Sequence, residues 1–416
     1  MAPYNTLTLD NGLRVIHLPS ASPVVYCGYQ IKAGARDEQP DEEGLAHFCE
    51  HMTFKGTKRR RSWNILNALE SVGGDLNAYT NKEDTCYYAA IPKEHTARAI
   101  DLLTDIVFHS VYPQAEIKKE VEVICDEIES YNDSPAELIY DEFENLIFKG
   151  HPLGHNILGA ADRVRRFTTD DALRFTRRFY RPDNAVFFVY GDVDFKRMVR
   201  KLEQIVPAST HELTNSPTRQ QTNPPTHQQT NPPINQPTIV EWGTHQSHVM
   251  LGNRAYSATD RRRMALYVLN NILGGPGMNA RLNLVLREHH GLVYSVDSSM
   301  VNYGDTGLWC VYFGCDPHDV KRCLRLVRHE LDRFMRTPLT PTRLRATKKQ
   351  LKGQISVVCD NRENFALSFG KSFLHYGWER DINELCARVD AVTAEEIQAV
   401  AREIFEPDTM TTLIYQ

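Results

Sequence analysis

Residues 168–190 read TTDDALRFTRRFYRPDNAVFFVY, and residues 393–415 read TAEEIQAVAREIFEPDTMTTLIY. Laid over each other without a gap, the two stretches match in what each position can do. Thr168 falls on Thr393, a hydroxyl able to cap a helix whose first turn carries acids: Asp170 and Asp171 in one copy, Glu395 and Glu396 in the other. Arg177 falls on Arg402. Pro182-Asp183 and Pro407-Asp408 then turn the chain into apolar strands that end at Tyr190 and Tyr415. A helix, a turn and a strand repeated in the same order imply an internal duplication. The chain is therefore expected to hold two related domains rather than one large core.

Composition agrees with that division. The chain has 416 residues, more than one hydrophobic core usually organises. Between the halves, residues 207–238 carry the near-duplicate units QQTNPPTH and QQTNPPIN, rich in Pro, Gln, Thr and Asn. Such a tract cannot bury a core and reads as an exposed, partly extended linker. The expected organisation is a first domain over 1–206, the linker 207–238, and a second domain over 239–416.

Each half mixes strands and helices. VVYCGYQI and TCYYAAI in the first half, and GLWCVYFGC in the second, read as strands; Leu7 to Leu18 also alternates like one. SWNILNALESVGG reads as a helix stopped by Gly73 and Gly74, residues 94–108 and 114–131 have helical periodicity, and MALYVLNNILGG is a helix in the second half. The fold class is α+β: two homologous domains, each a mainly antiparallel sheet covered by helices on one side.

Hydrophobic residues make up 41% and charged ones 24%, with a formal net charge of −5. That balance suits a soluble globular protein and argues against nucleic acid as a partner. The basic runs at 58–61 and 261–263 are short and read as solvated faces. No apolar run is long enough to span a bilayer, and the N-terminus lacks the pattern of a signal peptide, so no membrane association and a cytoplasmic location are expected. The nine cysteines are scattered, with no CxxC pair, and read as reduced core thiols.

The chemistry lies in HFCEH, residues 47–51. Positions four apart share a helix face, so His47 and His51 can grip one ion while Glu50 borders that face. H-x-x-E-H is the inverted order of the zinc-peptidase motif. A catalytic zinc needs a third protein ligand and an open position. Within QAEIKKEVEVICDEIESY, residues 114–131, the apolar stripe Ile117, Val121, Ile124 and Ile128 has Glu120 and Glu127 beside it, two turns apart. Taken alone, these two are solvated acids.

Stretches along nearly the whole chain, among them AGARDE, GLAHFCEHMTFKGT, GGDLNAYTNKEDTCYYA, EVEVICDEIESYNDSP, FYRPDNAVFFVYGDV and LGGPGMNARLNLVLREHHGLVYSV, resemble the M16 metallopeptidases, the group of mitochondrial processing peptidase and insulysin. The resemblance implies that His47, His51 and Glu127 are zinc ligands and Glu50 the general base acting on a metal-activated water. It also implies that Glu120 supports the site from behind. GGDLNAYT resembles the family's edge strand for peptide, with Asn77 and Ala78 making backbone-directed contacts. LREHHGLVYSV resembles the signature in which Arg287 and Tyr294 polarise the scissile bond. One departure is Cys49, where the family often has leucine; it reads as a core thiol.

The function so implied is a zinc-dependent endopeptidase for extended peptides or unfolded segments, with one Zn2+ per chain, because the second half has no ligand residues near 270–276. The competing reading is a catalytically silent M16-like subunit that serves as an assembly partner. Family members close two such two-domain units around a peptide, so the resemblance implies a homodimer, or a heterodimer with a related subunit.

Overall fold

The computed structural model describes residues 4–208, 237–243, 245–379 and 381–416. Most of the expected linker, residues 209–236, lies outside them. In the first half the strands are β1 Asn5–Thr8, β2 Arg14–Pro19, β3 Val24–Ile31, β4 Asp75–Thr80, β5 Thr85–Pro92 and β6 Ala185–Gly191. Its helices are α1 Leu45–Thr53, α2 Ser62–Glu70, α3 Thr96–His109, α4 Gln114–Asn132, α5 Pro135–Ile147, α6 Ala161–Val164, α7 Thr169–Phe179 and α8 Phe195–Ile205. The second half has strands β7 Thr238–Val240, β8 Ser247–Ala255, β9 Val293–Asn302, β10 Gly307–Cys315 and β11 Thr411–Tyr415. Helices α9 Arg263–Gly274, α10 Val320–Arg336, α11 Pro341–Cys359, α12 Arg362–Tyr376, α13 Ile382–Ala391 and α14 Ala394–Ile404 complete it. The alternation from Leu7 to Leu18 is a hairpin, β1 against β2, rather than one strand.

Among the described residues the strands form two sheets, ordered β1-β2-β6-β3-β5-β4 and β7-β11-β8-β10-β9. Without β1, the orders are the same. In each sheet one neighbouring pair is parallel, β2 with β6 and β7 with β11, and the rest are antiparallel. The repeat at 168–190 and 393–415 falls on equivalent elements: α7 and α14 both start behind a threonine cap. Asp171 N–H donates to Thr168 Oγ1 and Glu396 N–H to Thr393 Oγ1, and each acid side chain accepts from its cap's backbone N–H. The α+β, two-sheet class expected from the sequence is the class observed.

Two expectations change. Helices cover both faces of each sheet, not one. On β6, Phe187 and Val189 point into a core shared with α1, α3, α4 and α7, while Val186 and Phe188 meet Ala366 and Phe369 of α12. A strand buried on both faces reads as an unbroken apolar run, which AVFFVYG is. The second sheet repeats the scheme: Leu138, Ile139, Phe143 and Ile147 of α5 pack on Met250, Leu308, Tyr312 and Leu413.

The covering helices also alter the domain limits. Of the described residues, those within 1–130, 155–214 and 358–380 make up compact unit one, and those within 131–154, 215–357 and 381–416 make up unit two. Each unit thus takes one helix, α12 or α5, from the other half of the sequence, so the linear division at 207–238 is not how the chain packs. The cause is the second apolar face of each sheet, which needs a helix that its own half has not placed there.

Candidate metal centre

Helix α1 carries the HFCEH stretch and buries Leu45, Phe48, Cys49 and Met52 in the core of unit one, in the same cluster as the α4 stripe Ile117, Val121, Ile124 and Ile128. Cys49 is fully buried, with Sγ 3.9 Å from Ala172 O, and burial pushes its thiol pKa well up. It is the core side chain expected and faces away from the histidines' task. The start of α1 is fixed by Glu38, whose fully buried carboxylate accepts the N–H groups of Gly44 and Ala46 at 3.0 and 2.7 Å. His155 Nε2 stands 3.0 Å from the same carboxylate, so this histidine is structural. Gly44 sits at φ +94°, and a Cβ there would come within 2.8 Å of Leu158 O.

His47 and His51 lie with ring centroids 4.6 Å apart. Glu127 reaches both from α4: Oε1 is 3.8 Å from His47 Nε2 and Oε2 is 3.3 Å from His51 Nε2. Ligand atoms around one tetrahedral zinc sit roughly 3.4 Å apart. The donor set and its spacing therefore fit that ion. Among the described residues the other group of this kind, Asp316, His318 and Asp319, is exposed at its first two members, half-buried at the third, and has no buried donor.

The surroundings are asymmetric. Burial, aided by the neighbouring His51, pushes the His47 pKa down to about 4, so its imidazole is neutral. His47 Nδ1 is buried and finds no partner among the described residues. For His51, burial also opposes charge, but hydrogen bonds to Glu120 and Glu127 outweigh it and lift the pKa to about 9. The His51 hydrogen bond is the largest cause of the lowered Glu127 pKa. A positive charge is thus already stabilised between these groups, where a metal cation would replace the proton. Glu120 Oε1 is 3.0 Å from His51 Nδ1, and its Oε2 is 2.6 Å from Lys55 Nζ. Holding Nδ1–H this way leaves His51 Nε2 free to accept a cation.

Glu50 is mostly buried, which raises its pKa, while a hydrogen bond from Thr80 opposes the rise. That bond, Thr80 Oγ1 to Glu50 Oε2, measures 2.6 Å. Thr80 ends β4, the edge strand of the first sheet, which also carries Asn77 and Ala78. Lys55 and Thr80 were not singled out from the sequence. Lys55 follows His51 by four, the spacing of one helical turn, and Thr80 shares the alternation of β4 with Ala78; both are only weak signals.

Arg287 and Tyr294 belong to unit two. Arg287 lies in a π-helical turn, Asn283–His289, and its guanidinium stands 5.8 Å from the Tyr294 ring centre. Tyr294 is 82% exposed on β9, the edge strand that corresponds to β4. Helix α9, which takes the place of α1 in the second sheet's order, reads RMALYVLNNILG and contains no His, Asp or Glu.

Fold and site together describe a two-sheet α+β chain whose first half carries an inverted H-x-x-E-H stretch, with its two histidines and Glu127 close enough to hold one metal ion. The chain belongs to peptidase family M16. A family model described as Insulinase (Peptidase family M16) matches residues 14–161, and one described as Peptidase M16 inactive domain matches 166–351. An uncharacterised zinc protease of Streptomyces coelicolor is 34% identical over 95% of this chain and 86% of its own length. Another, YmxG of Bacillus subtilis, is 31% identical over 98% of this chain and 97% of its own. Among solved structures, a protease from Helicobacter pylori superposes with a TM-score of 0.88 at 21% identity, covering 100% of this chain and 99% of that one. A Pseudomonas fluorescens protein titled as a peptidase M16 inactive domain gives 0.85 at 18%, covering 99% and 97%. At such identities the structures speak for the fold alone.

Proposed function

We propose that the chain is a zinc endopeptidase acting on extended peptides or unfolded segments. The observation that carries this is the convergence of His47 Nε2, His51 Nε2 and the Glu127 carboxylate, with Glu50 one residue away. Zinc held there would supply Lewis acidity toward a water and toward the scissile carbonyl. Glu50 takes the proton of the attacking water and returns it to the leaving amine. Its burial favours a carboxyl that can both accept and release a proton. Glu120 keeps the His51 ring oriented. An extended peptide pairs with the free edge of β4 at Asn77 and Ala78, which gives affinity through main-chain bonds. Arg287 and Tyr294 donate to the oxygen that gains charge as the bond breaks. Helix α9 offers no ligands, so one zinc per chain is expected.

Two chains cooperate in this reading, as a homodimer in which Arg287 and Tyr294 serve the partner's zinc. What supports it is that both side chains are exposed at the edge strand β9 and, among the described residues, Arg287 has only a 3.9 Å ion pair with its neighbour Glu288 and its contact with the Tyr294 ring. Wild-type protein should bind close to one zinc per chain and cleave a quenched extended peptide, lose cleavage to a chelator, and regain it with zinc. Glu50→Gln should keep zinc and lose cleavage. A mixture of Glu50→Gln and Tyr294→Phe chains should regain activity; no recovery refutes sharing across the dimer. Cleavage that resists zinc removal refutes the metallopeptidase itself. As for location, no described helix is long and apolar enough to cross a membrane.

A further inference from the structure

The turn between β4 and β5 is unusual. Lys82, Glu83 and Asp84 are all buried, although charged turn residues normally sit in water. Each is anchored. Lys82 Nζ donates to His155 O, Glu83 pairs with Arg36 at 2.6 Å, and Asp84 Oδ1 lies 2.6 Å from Lys371 Nζ. Asn81 N–H closes the turn on Asp84 O at 2.8 Å. The strand end that these contacts fix is Thr80, which pairs with Thr85.

Side chains alternate along a strand, so Thr80 shares a face with Leu76 and Ala78, the face packed on the core that contains α1. Its hydroxyl therefore points at α1 and reaches Glu50 Oε2 at 2.6 Å. No other side chain or backbone group among the described residues bonds that carboxylate. One oxygen of Glu50 is held, and the other is left for chemistry.

We propose that Thr80 is a positioning residue: its hydroxyl fixes the rotamer of Glu50, and it joins the base to the strand on which the peptide is expected to pair. The inference rests on the peptidase reading above. It assigns the anchored turn a purpose, because a loose β4–β5 turn would let Thr80, and with it Glu50, swing. A carboxylate displaced by about 1 Å loses rate on the order of 100-fold in a proton transfer that depends on near-attack geometry.

Thr80→Val, which keeps the branched shape and removes the hydroxyl, and Thr80→Ser, which keeps the hydroxyl, separate the two roles of the side chain. Three quantities are measured on the full-length zinc protein: zinc content, kcat and KM on a quenched peptide, and the affinity of a non-hydrolysable phosphinic peptide by calorimetry. Thr80→Val is expected to keep zinc content and KM, lose kcat by about 10- to 100-fold, and bind the phosphinate about 10-fold more weakly. Thr80→Ser should return both to within about 3-fold. Unchanged kcat and phosphinate affinity in Thr80→Val overturn the proposal while leaving the peptidase intact. Loss of zinc in parallel with kcat, or failure of Thr80→Ser to rescue, also overturns it, since the residue is then only structural. A wild-type chain that neither cleaves peptide nor binds the phosphinate removes the peptidase reading, and Thr80's role goes with it.

Discussion

Replacing Glu120 by Gln should weaken zinc binding, and the reason is a count of donors. The Glu120 carboxylate meets two: His51 Nδ1–H at 3.0 Å and Lys55 Nζ at 2.6 Å. Its two oxygens accept one each. Glutamine has one oxygen and an NH2 group, so one of the two donors must face another donor. Lys55 carries a fixed charge and claims the oxygen. The NH2 then faces His51 Nδ1 and favours the tautomer with the proton on Nε2, the atom that must ligate the ion. A lost charge-assisted hydrogen bond is worth about 1.5–3 kcal/mol, and little of it is screened, because the two side chains are only 11% and 21% exposed. At 1.4 kcal/mol per decade that is about a 10- to 100-fold loss in zinc affinity, the range typical for groups behind metal ligands. Competition against a chromogenic chelator reads it directly, without any need for activity. The reasoning has a sharper consequence in the double variant. With Lys55→Met also present, the amide oxygen is free to turn to His51 Nδ1–H, so the second change should restore part of what the first removed. Lys55→Met alone supplies the remaining corner of the cycle. If Glu120→Gln binds zinc like wild type, or the double variant is no better than Glu120→Gln, tautomer control through Glu120 is wrong.

Two glycines should respond oppositely to the same change. In α12, a Cβ on Gly370 would stand 2.9 Å from Phe188 Cδ1 and Cγ, so Gly370→Ala should destabilise by about 1–3 kcal/mol despite better helix propensity. In α11, Gly353 has nothing within 4 Å, so Gly353→Ala should stabilise by up to about 1 kcal/mol; urea midpoints compare the two. Phe143→Ala, at a fully buried position of α5, should cost about 3–5 kcal/mol and raise hydrogen exchange in β8, β10 and β11, because α5 covers that sheet. Burial alone would raise the Asp84 pKa, but His375, whose Nε2 lies 3.5 Å from Oδ1, and the charge of Lys371 outweigh it and hold the carboxyl below its ordinary value. A depressed carboxyl contributes stability above its unfolded pKa of about 3.9 and loses it as pH falls through the folded value. Lys371→Met should therefore cost about 1–3 kcal/mol at pH 7. Its deficit against wild type should shrink below about pH 4; a deficit independent of pH would show that Lys371 acts only by packing.

How much of this was legible in the sequence depended on range. Local devices were legible. The threonine cap, the acids behind it and the Pro-Asp turn act within a few residues, so the copy at 168–190 and the copy at 393–415 announced two equivalent helices and strands, and α7 and α14 are those helices. The spacing of His47 and His51 is likewise a property of one helical turn. Glu127 was different: its place beside the apolar stripe of α4 made it an ordinary surface acid, and only resemblance to a family singled it out. The exchange of α5 and α12 was illegible for a physical reason. An apolar stripe states that a helix has a face to bury, but not which sheet will accept it, and AVFFVYG stated that β6 was buried on both sides without naming the cover. Thr80 and Lys55 were illegible for another. Each is a single polar side chain whose meaning comes from one contact, 30 residues away to Glu50 for Thr80 and 65 to Glu120 for Lys55. Periodicity averages over many residues and so finds cores. The groups that tune a site are solitary by nature, and they become visible only once the fold has brought their partners to them.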